Sequence, residues 1–297
     1  MRFGVDLGGT KIEAVVMDDD NQILWQRRRP TPAQNYQSIL TEIAAMLTAA
    51  ESETVSPLPV GIGMPGSLSP ATGLVRNANT QCLNGKAILH DLEAKLERRV
   101  WVANDANCFA LSEASDGAGA NATSVFGVIL GTGCGGGLVI DQKLQHGANA
   151  IGGEWGHNPL PARFPDELPG PPCFCGRTGC NETWISGPGF AADHFRVTGE
   201  RLTAEDIAQS DEPQCMASVE RLCDRIARAL AVVINIVDPD IIVLGGGLSQ
   251  LDVLYDRVPA LWHNYIFSDV IKTRLVKNKH GDASGVRGAA WLCTPEH

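Results

Sequence analysis

The sequence predicts an α/β fold in two domains, from its length, its alternation of strands and helices, and one repeated pattern. With 297 residues, the chain is about twice as long as a typical domain. Apolar runs typical of strands are interspersed with runs of helical periodicity. A strand, a glycine-rich turn and a second strand open the chain, and the same order recurs at 124–140. We therefore expect each domain to contain one such hairpin.

The first half of the chain is predicted to contain five strands and three helices. Pro30 and Pro32 precede the first helix, and the last strand runs into Asn104 and Asp105. The predicted strands cover 2–7, 12–17, 22–29, 58–63 and 100–103, and the predicted helices cover 34–50, 91–98 and 106–116.

The second half is predicted to contain three strands, three helices and one long irregular segment. The strands cover 124–130, 137–140 and 241–244, and the helices cover 219–237, 253–265 and 286–292. Between 149 and 188, glycine, proline and cysteine are dense and no periodicity is visible, so something other than an apolar core must order that segment. We expect one domain to comprise 1–117 with 285–297, and the other to comprise 118–284.

Charge and hydropathy exclude two classes of partner. Lys and Arg number 24 and Asp and Glu number 34, giving a net charge of −10, which argues against binding by neutralisation of nucleic-acid phosphates. The longest apolar runs are far shorter than the roughly 20 residues that a membrane helix needs. The opening residues Met1–Asp6 lack the apolar stretch of a secretory signal. We therefore expect a cytoplasmic protein that binds neither nucleic acid nor membrane.

Two glycine-rich loops match the residue pattern of a dinucleotide-binding fingerprint but lack the secondary structure that it requires. Gly61–Gly66 and Gly131–Gly136 both read G-x-G-x-x-G. Pro65 interrupts the first and a strand follows the second, whereas the fingerprint requires a helix. The phosphate loop of nucleoside triphosphatases is missing as well, because Ala87 follows Gly85-Lys86. A nicotinamide cofactor and that class of triphosphatase are therefore not expected.

A strand, glycine turn and strand can bind phosphate in another way. Residues without side chains let backbone N–H groups approach an anion, so two such hairpins could clamp the phosphates of one nucleotide. Asp6, Thr10 and Lys11 add a carboxylate, a hydroxyl and an ammonium to the first turn, groups that suit magnesium and terminal phosphates. Two ordinary β-turns are the alternative, but the repetition favours the phosphate role.

Four motifs give the chain a resemblance to a known family. They are Asp6-Leu7-Gly8-Gly9-Thr10-Lys11, Gly131-Thr132-Gly133-Cys134-Gly135-Gly136-Gly137, Gly153-Glu154-Trp155-Gly156-His157, and Cys173-x-Cys175-Gly-x-x-Gly-Cys180-x-Glu182. They resemble the ROK family of sugar kinases, and the resemblance extends to Gly285–Ala290, over essentially the whole chain. It implies two ribonuclease-H-like domains, as in hexokinases and actin, with ATP and a hexose in the cleft between them. It also implies a cytosolic bacterial enzyme, for which we expect a homodimer.

The resemblance implies that the glycine loops bind ATP and its magnesium ion. The ion would lie near Asp6 and bridge the β- and γ-phosphates. Lys11 would reach phosphate or remain a solvated turn lysine, and the glycines after strand 241–244 suit the adenosine side or form an ordinary turn. The full set of nucleotide-binding candidates is Asp6, Gly8, Gly9, Thr10, Lys11, Thr132, Gly133, Gly245, Gly246 and Gly247.

One imidazole and three thiols in the irregular segment form the set that zinc prefers in tetrahedral structural sites. The candidate ligands are His157, Cys173, Cys175 and Cys180. With every position filled by protein, no place remains for water, so the metal would hold the loop rather than catalyse. Three free thiols or a disulfide are the alternatives, and the cytoplasm disfavours the disulfide. Together with the resemblance, the set predicts a structural zinc that fixes Glu154 and Glu182 beside the cleft.

Asn104 and Asp105 lie where a predicted strand ends and a helix begins, an edge at which α/β proteins commonly bind ligands. Helix capping is the alternative, since both residue types are good caps, but capping and catalysis can coexist. The positive end of the helix favours an ionised carboxylate. In the family that Asp is the general base and the Asn binds sugar hydroxyls, so the resemblance implies that Asp105 accepts the proton of the attacking hydroxyl.

Sugar recognition requires several hydrogen-bonding side chains in one pocket. The resemblance implies six: Asn79, Asn104, Asp105, Glu154, His157 and Glu182. Without it, Glu154 is interpreted as a surface acid and Glu182 as an acid at a helix start. His157 can bind zinc through one nitrogen and a sugar hydroxyl through the other.

The identity of the sugar rests on two stretches, 76–85 and 154–161, which most resemble bacterial fructokinases with mannokinase side activity. We therefore expect ATP-dependent phosphorylation of D-fructose at its 6-hydroxyl, with mannose or glucose as further substrates. An N-acetylglucosamine kinase of the same family is the alternative, and a non-catalytic, sugar-responsive binding protein is the alternative of a different class. Repressors of the family carry a winged helix ahead of the kinase-like fold, whereas the kinase-like strand here begins at residue 2 or 3.

Overall fold

The computed structural model, which describes residues 1–161 and 163–294, consists of strands and helices in alternation. The strands are β1 (Arg2–Leu7), β2 (Lys11–Met17), β3 (Ile23–Pro30), β4 (Val60–Met64), β5 (Ser67–Leu68), β6 (Val75–Arg76), β7 (Val100–Asn104), β8 (Ser124–Leu130), β9 (Cys134–Ile140), β10 (Lys143–Leu144), β11 (Ile241–Gly245) and β12 (Arg274–Lys277). The helices are α1 (Tyr36–Glu53), α2 (Ile88–Leu96), α3 (Asp105–Ser115), α4 (Glu182–Ile185), α5 (Gly187–Thr198), α6 (Ala204–Gln209), α7 (Pro213–Val237), α8 (Val253–Leu261) and α9 (Ser284–Trp291). Two five-stranded sheets confirm the α/β fold class.

The first sheet has the strand order β3-β2-β1-β4-β7. β1 is antiparallel to β2 and parallel to β4, which in turn is parallel to β7. Its core includes Phe3, Val5 and Ile62, which pack in one apolar cluster with Ile39 and Ile43 of α1 and are fully buried. Because β1, β4 and β7 run in parallel, their carboxyl ends share one edge of the sheet. The turn after β1 and the start of α3 therefore lie at the same edge.

The second sheet has the strand order β10-β9-β8-β11-β12. β11 is parallel to both β8 and β12. The loop after β8 and the glycines after β11 consequently share an edge, where Gly246 has a φ of +81° and an ideal Cβ on it would lie 2.5 Å from the carbonyl oxygen of Leu130. Only glycine fits this position, because any other residue would be strained at this φ and its Cβ would collide with the Leu130 carbonyl oxygen.

The chain divides into two compact units. The first comprises Met1–Asn121, Gly137–Gly153 and the residues from Lys279 onward, and the second comprises Ala122–Gly136 and Glu154–Asn278. Relative to the sequence-based ranges, 118–121, 137–153 and 279–284 thus lie in the first unit. An ideal Cβ on Gly137 would be 2.8 Å from the Cβ of Ala110 in α3, so the absence of a side chain lets this strand approach the helix.

Helices α3 and α9 of the first unit touch through their main chains. An ideal Cβ on Gly288 would lie 1.7 Å from the carbonyl oxygen of Cys108, a separation that only glycine permits. The buried carboxylate of Glu113 on α3 also accepts hydrogen bonds from the backbone N–H of Lys279 at 3.0 Å and from the hydroxyl of Ser284 at 2.8 Å. The helix that begins at Asp105 is therefore fixed by direct contact with α9 and the segment leading into it.

A buried ion cluster orders part of the irregular segment predicted between 149 and 188. Glu167 Oε1 accepts hydrogen bonds from Arg225 at 3.1 Å and Arg228 at 2.7 Å, and Arg225 lies 2.9 Å from Asp193. All four side chains belong to residues no more than 4% exposed. Charges this deeply buried are stable only when paired. The cluster therefore ties the segment to α5 and α7, a support additional to the metal that the sequence predicted.

The arginines set the acidity of both carboxyls. Burial raises the pKa of Glu167, but hydrogen bonds from Arg228, the backbone of Arg163 and Arg225 outweigh burial and lower that pKa to about 2. In Asp193, burial is likewise outweighed by Arg225, Arg196 and Arg221, and its pKa falls to about 2. Both groups are thus ionised across the physiological range.

We expect the protein to lose stability as the pH falls from about 5 to about 2. A carboxyl whose pKa is lower in the folded state stabilises the fold above its unfolded pKa, about 4 here, and that contribution disappears as the pH falls through the folded pKa. Glu167 and Asp193 would each contribute about 2 to 3 kcal/mol at neutral pH. Denaturant unfolding at pH 7, 5 and 3 measures the loss.

The matched controls separate this cluster from general acid effects. Asp193→Asn should show a smaller dependence of unfolding free energy on pH than the wild type, whereas the same change at the exposed Asp211 should leave the dependence unaltered. Equal dependence in all three proteins would contradict the assignment.

No helix within 1–161 and 163–294 has the length and apolar composition required to span a bilayer.

Candidate functional site

The first glycine turn joins β1 to β2 and leaves its tip open to solvent. The backbone N–H of Gly8 donates to the carbonyl oxygen of Lys11 at 2.9 Å, and the hydroxyl of Thr31 donates to the carbonyl oxygen of Gly8 at 2.7 Å. Gly9 and Thr10 are exposed. Lys11 Nζ lies 3.8 Å from the buried carboxylate of Glu13, so its charge has a protein partner as well as solvent. The turn is pinned at its base and exposed at its tip.

Burial and the charge of Asp105 raise the pKa of a second carboxyl, that of Asp6, at this edge of the first sheet. Asp6 precedes the glycine turn, and Asp105 is the first residue of α3. Burial, then the negative charges of Asp105 and Glu13, raise the pKa of Asp6 to about 6. An ideal Cβ on Gly285 would lie 3.1 Å from Asp6 Oδ2, so the carboxylate packs against the first turn of α9. A buried carboxyl whose ionisation is disfavoured by neighbouring negative charge forms an arrangement that a divalent cation relieves.

Asn104 caps α3 and leaves Asp105 in its first turn. The side-chain oxygen of Asn104 accepts from the backbone N–H of Ala106 at 2.9 Å, and its amide nitrogen donates to the carbonyl oxygen of Gly66 at 3.1 Å. Asp105 Oδ1 also accepts from Ala106, at 2.8 Å, and Asp105 is exposed. The capping alternative therefore applies to Asn104. The helix N-terminus favours the ionised form of Asp105, which suits a group that accepts a proton.

Asn79 lies on an exposed turn that a residue not singled out from the sequence holds in place. Asn84 accepts from the backbone N–H of Ala78 at 3.0 Å and donates to the carbonyl oxygen of the same residue at 2.9 Å. One side-chain amide thus hydrogen-bonds to both the N–H and the carbonyl oxygen of Ala78, the residue before Asn79. Asparagine side chains in turns commonly hydrogen-bond to nearby backbone groups. The sequence alone does not reveal which backbone group is the partner.

The second glycine loop joins β8 to β9. Its first residue, Gly131, accepts at its carbonyl oxygen from the backbone N–H of Gly187 at 2.8 Å. Glu182, predicted to bind sugar, accepts through Oε2 from the backbone N–H of Cys134 at 3.0 Å, and an ideal Cβ on Gly133 would lie 2.8 Å from that oxygen. Thr132 at the tip is exposed. The structure thus places the carboxylate of Glu182 against this loop. The sequence motif did not predict this contact.

A cavity of about 1090 Å³ adjoins the second glycine loop within the second unit. Its wall includes Thr132, Ala204 and Ala208 together with the chain from Gly247 to Val253, except Ser249. The lining is largely apolar, with Glu205 and Asp252 as its charged groups. Of the three glycines proposed for the adenosine side, Gly247 lines the cavity, Gly246 contacts Leu130, and Gly245 ends β11. The arrangement suits a flat apolar group with polar substituents.

The predicted zinc ligands converge. The donor atoms of His157, Cys173, Cys175 and Cys180 all lie within 4.8 Å of one another. Cys173 Sγ is 3.5 Å from His157 Nδ1, and Cys175 Sγ is 3.6 Å from Cys180 Sγ. Tetrahedral zinc–thiolate bonds place neighbouring sulfurs roughly 3.8 Å apart, so these distances match the edges of such a site. They exceed a disulfide bond, and every cysteine among the described residues is a free thiol.

The local backbone shapes this cluster. Gly176 and Gly179 have φ values of +86° and +69°, which permit the tight turns between the cysteines. The pKa of the Cys175 thiol is lowered to about 6, first by the backbone N–H of Arg177 and then by hydrogen bonds from Cys173 and Cys180, whereas burial raises the pKa values of Cys173 and Cys180. Cys175 is therefore the readiest of the three to form the thiolate that binds metal. Nδ1 of the half-buried His157 is on the side of Cys173. The donor set and spacing therefore fit one zinc ion.

The six sugar-binding candidates divide between the two units. Asn79, Asn104 and Asp105 belong to the first unit, and Glu154, His157 and Glu182 belong to the second. Glu154 is exposed.

A family model and several known proteins match the chain along nearly its whole length. The model of the ROK family covers residues 2–296. An N-acetyl-D-glucosamine kinase of Pectobacterium atrosepticum is 40% identical over 299 residues, spanning 98% of each chain. Among solved structures, a ROK hexokinase from Thermus thermophilus has a TM-score of 0.87 with 28% identity, over 98% of this chain and 97% of that one. A ROK family glucokinase from Streptomyces griseus, in complex with glucose and AMPPNP, has a TM-score of 0.77 with 26% identity, over 98% of each.

Proposed function

Because the chain belongs to the ROK family, we propose that it is an ATP-dependent kinase that phosphorylates N-acetyl-D-glucosamine at its 6-hydroxyl. Phosphoryl transfer is supported above all by one observation, the exposed carboxylate of Asp105 in the first turn of α3, close enough to Asp6 to raise its pKa. The relative that is 40% identical over 98% of both chains is an N-acetyl-D-glucosamine kinase. It favours this sugar over the D-fructose that the two sequence stretches led us to expect, and the fructokinase assignment is not confirmed.

Asp105 acts as the general base in this proposal. Its carboxylate, ionised at the positive end of α3, accepts the proton of the sugar hydroxyl as the oxygen attacks the γ-phosphorus of ATP, whose bond to the β,γ-bridging oxygen breaks so that ADP leaves. Transfer of this kind has a loose transition state, so positioning and charge neutralisation contribute most of the acceleration. Asn79 and Asn104 bind sugar hydroxyls, and we propose the same role for Glu154, His157 and Glu182.

The nucleotide is bound by backbone groups and by the cavity of the second unit. The adenosine enters the cavity, where Glu205 and Asp252 suit its hydroxyl groups. The backbone N–H groups of the two glycine loops bind phosphate oxygens, with the hydroxyls of Thr10 and Thr132 and the ammonium of Lys11 beside them. Asp6 would hold magnesium, because burial and the neighbouring negative charges that raise its pKa leave its own charge in need of a cation. Magnesium neutralises phosphate charge when bound.

His157, Cys173, Cys175 and Cys180 are proposed to hold structural zinc. The four donors fill a tetrahedral shell, so the ion orders the segment rather than activating water. That order extends to the neighbouring Glu154 and Glu182.

A panel of sugars tests the substrate. With ATP and magnesium, we expect N-acetyl-D-glucosamine to give a kcat/KM at least about tenfold above D-fructose, D-mannose and D-glucose, because a site built to hydrogen-bond the acetamido group leaves polar atoms unpaired with the other sugars. ADP release, measured by a coupled assay, reports each rate. A preference for fructose would restore the earlier expectation, and no sugar-dependent ADP release with any hexose would indicate a binding protein without kinase activity.

A further inference from the structure

Three contacts from one segment hold the exit of the second glycine loop. The indole N–H of Trp155 donates to the carbonyl oxygen of Gly135 at 2.9 Å. The carboxylate of Glu182 accepts from the backbone N–H of Cys134 at 3.0 Å. An ideal Cβ on Gly156 would lie 1.9 Å from the carbonyl oxygen of Cys134. The segment that contains the His/Cys cluster thus also contacts the N–H of Cys134 and the carbonyl oxygens of Cys134 and Gly135, at the start of β9.

The loop depends on such contacts because of its composition. Two of the three loop residues 131–133 and three of the first four residues of β9, 134–137, are glycine, and glycine loses more conformational freedom on ordering than any other residue. Gly187 fixes the entry of the loop by donating to Gly131 at 2.8 Å. Trp155 and Glu182 fix its exit. Thr132 and Gly133, the residues proposed to face the phosphates, lie between these two anchored ends.

The indole of Trp155 is itself held in one orientation. Trp155 is 4% exposed, and its ring meets Phe126 of β8 edge to face, with centroids 5.9 Å apart and an interplanar angle of 84°. The side chain of Asn181 donates to the carbonyl oxygen of Trp155 at 2.9 Å. The N–H group therefore approaches Gly135 from a rigid support rather than from a mobile surface side chain.

We propose that Trp155 is a positioning residue for the phosphoryl donor: through its hydrogen bond to Gly135 it fixes the second glycine loop in the conformation that binds the nucleotide phosphates. The inference rests on the proposed function, since it assumes that this loop binds ATP. Trp155 is buried beneath the loop and acts through the Gly135 carbonyl. Removing its N–H leaves that carbonyl without this donor, while the aromatic packing on Phe126 can be kept by another ring.

The chain offers a matched control for this change. Trp262 is 1% exposed, and its indole nitrogen has no hydrogen-bond partner among the described residues. Trp155→Phe and Trp262→Phe both replace a buried indole by a smaller ring, but only the first removes a hydrogen bond to the glycine loop.

The experiment measures affinity and local exchange on the full-length protein. We expect Trp155→Phe to raise the Kd for AMPPNP at least about fivefold and to accelerate amide hydrogen exchange across 131–137. The KM for the sugar should stay within about twofold, and Trp262→Phe should match the wild type in every readout. A Trp155→Phe protein with wild-type affinity and exchange would overturn the proposal, as would equal effects from both variants.

Two further readouts keep the outcome decisive. If Trp155→Phe does not fold, Trp155→Met replaces it, because a flexible apolar side chain fills the space and lacks the indole N–H; exchange across 131–137 should accelerate in this variant too. Unchanged exchange in a folded Trp155 variant would overturn the proposal. A wild-type protein that does not bind AMPPNP would refute the proposed function itself, whereas a wild type that binds and a Trp155→Phe variant that binds equally would refute only the role of Trp155.

Discussion

Replacing Asp105 with alanine is expected to lower kcat by about 10²- to 10⁴-fold, the usual contribution of a general base, while the affinity for the sugar stays within roughly tenfold. Asp105 is exposed, and the N–H of Ala106 that it shares with Asn104 keeps the Asn104 cap when the carboxylate is removed. Its removal should therefore leave the fold intact. Initial rates of ADP release and calorimetric titration with the sugar measure the two quantities.

The control for Asp105 is an aspartate of the same unit remote from the glycine turn. Asp20 is exposed, and Asp20→Ala should retain wild-type kinetics. Asp105→Asn should be as inactive as the alanine variant, because an amide preserves the shape of the side chain but cannot accept the proton. Turnover within a few-fold of wild type in either Asp105 variant would remove this residue from the mechanism.

Replacing Cys175 with alanine is expected to abolish zinc binding and activity together. The substitution leaves three ligands of a closed four-ligand site, and zinc bound to comparable peptides contributes about 10 to 16 kcal/mol of apparent binding free energy at neutral pH. The segment has little apolar core of its own, and in the variant it would no longer be stabilised by most of that free energy. Metal content by mass spectrometry, the thermal unfolding midpoint and ADP release are the measurements.

Cys82 provides the comparison for Cys175. It is a partly exposed free thiol of the first unit, outside the cluster, so Cys82→Ala should keep zinc and activity. If Cys175→Ala lost the metal and retained its rate, the ion would not organise the substrate site. If the wild-type protein, purified without chelators, held no zinc, the metal assignment itself would be wrong.

The sequence predicted those parts of the fold that depend on local pattern. The glycine hairpins, the long amphipathic helix now α7 and the strand that leads into Asn104 follow from residues close together in the chain. Helix α5 was not predicted, because it begins with Gly187-Pro188-Gly189 inside a stretch without helical periodicity. Strand β12 was missed since it is a short edge strand with a charged residue at each end.

The candidate site divides in the same way. The His/Cys ligand set and the Asn104-Asp105 pair are recognisable because chemistry restricts the residue types and spacing. The hydrogen bonds from Trp155 to Gly135 and from Glu182 to Cys134 join positions 20 and 48 residues apart, and the ion pair between Glu167 and Arg228 spans 61. Such partners are chosen by tertiary packing, and no local pattern encodes them.

The main-chain contact between α3 and α9 limits the movement of the helix that carries Asp105. Cys108, whose carbonyl oxygen touches Gly288, lies within one turn of Asp105. No side chain separates the two backbones at Gly288, so a shift of α3 towards α9 at this point would bring main-chain atoms into collision. The start of α3, and with it the backbone of Asp105, is thus braced by α9, so a ligand that shifts this helix must displace α9 as well.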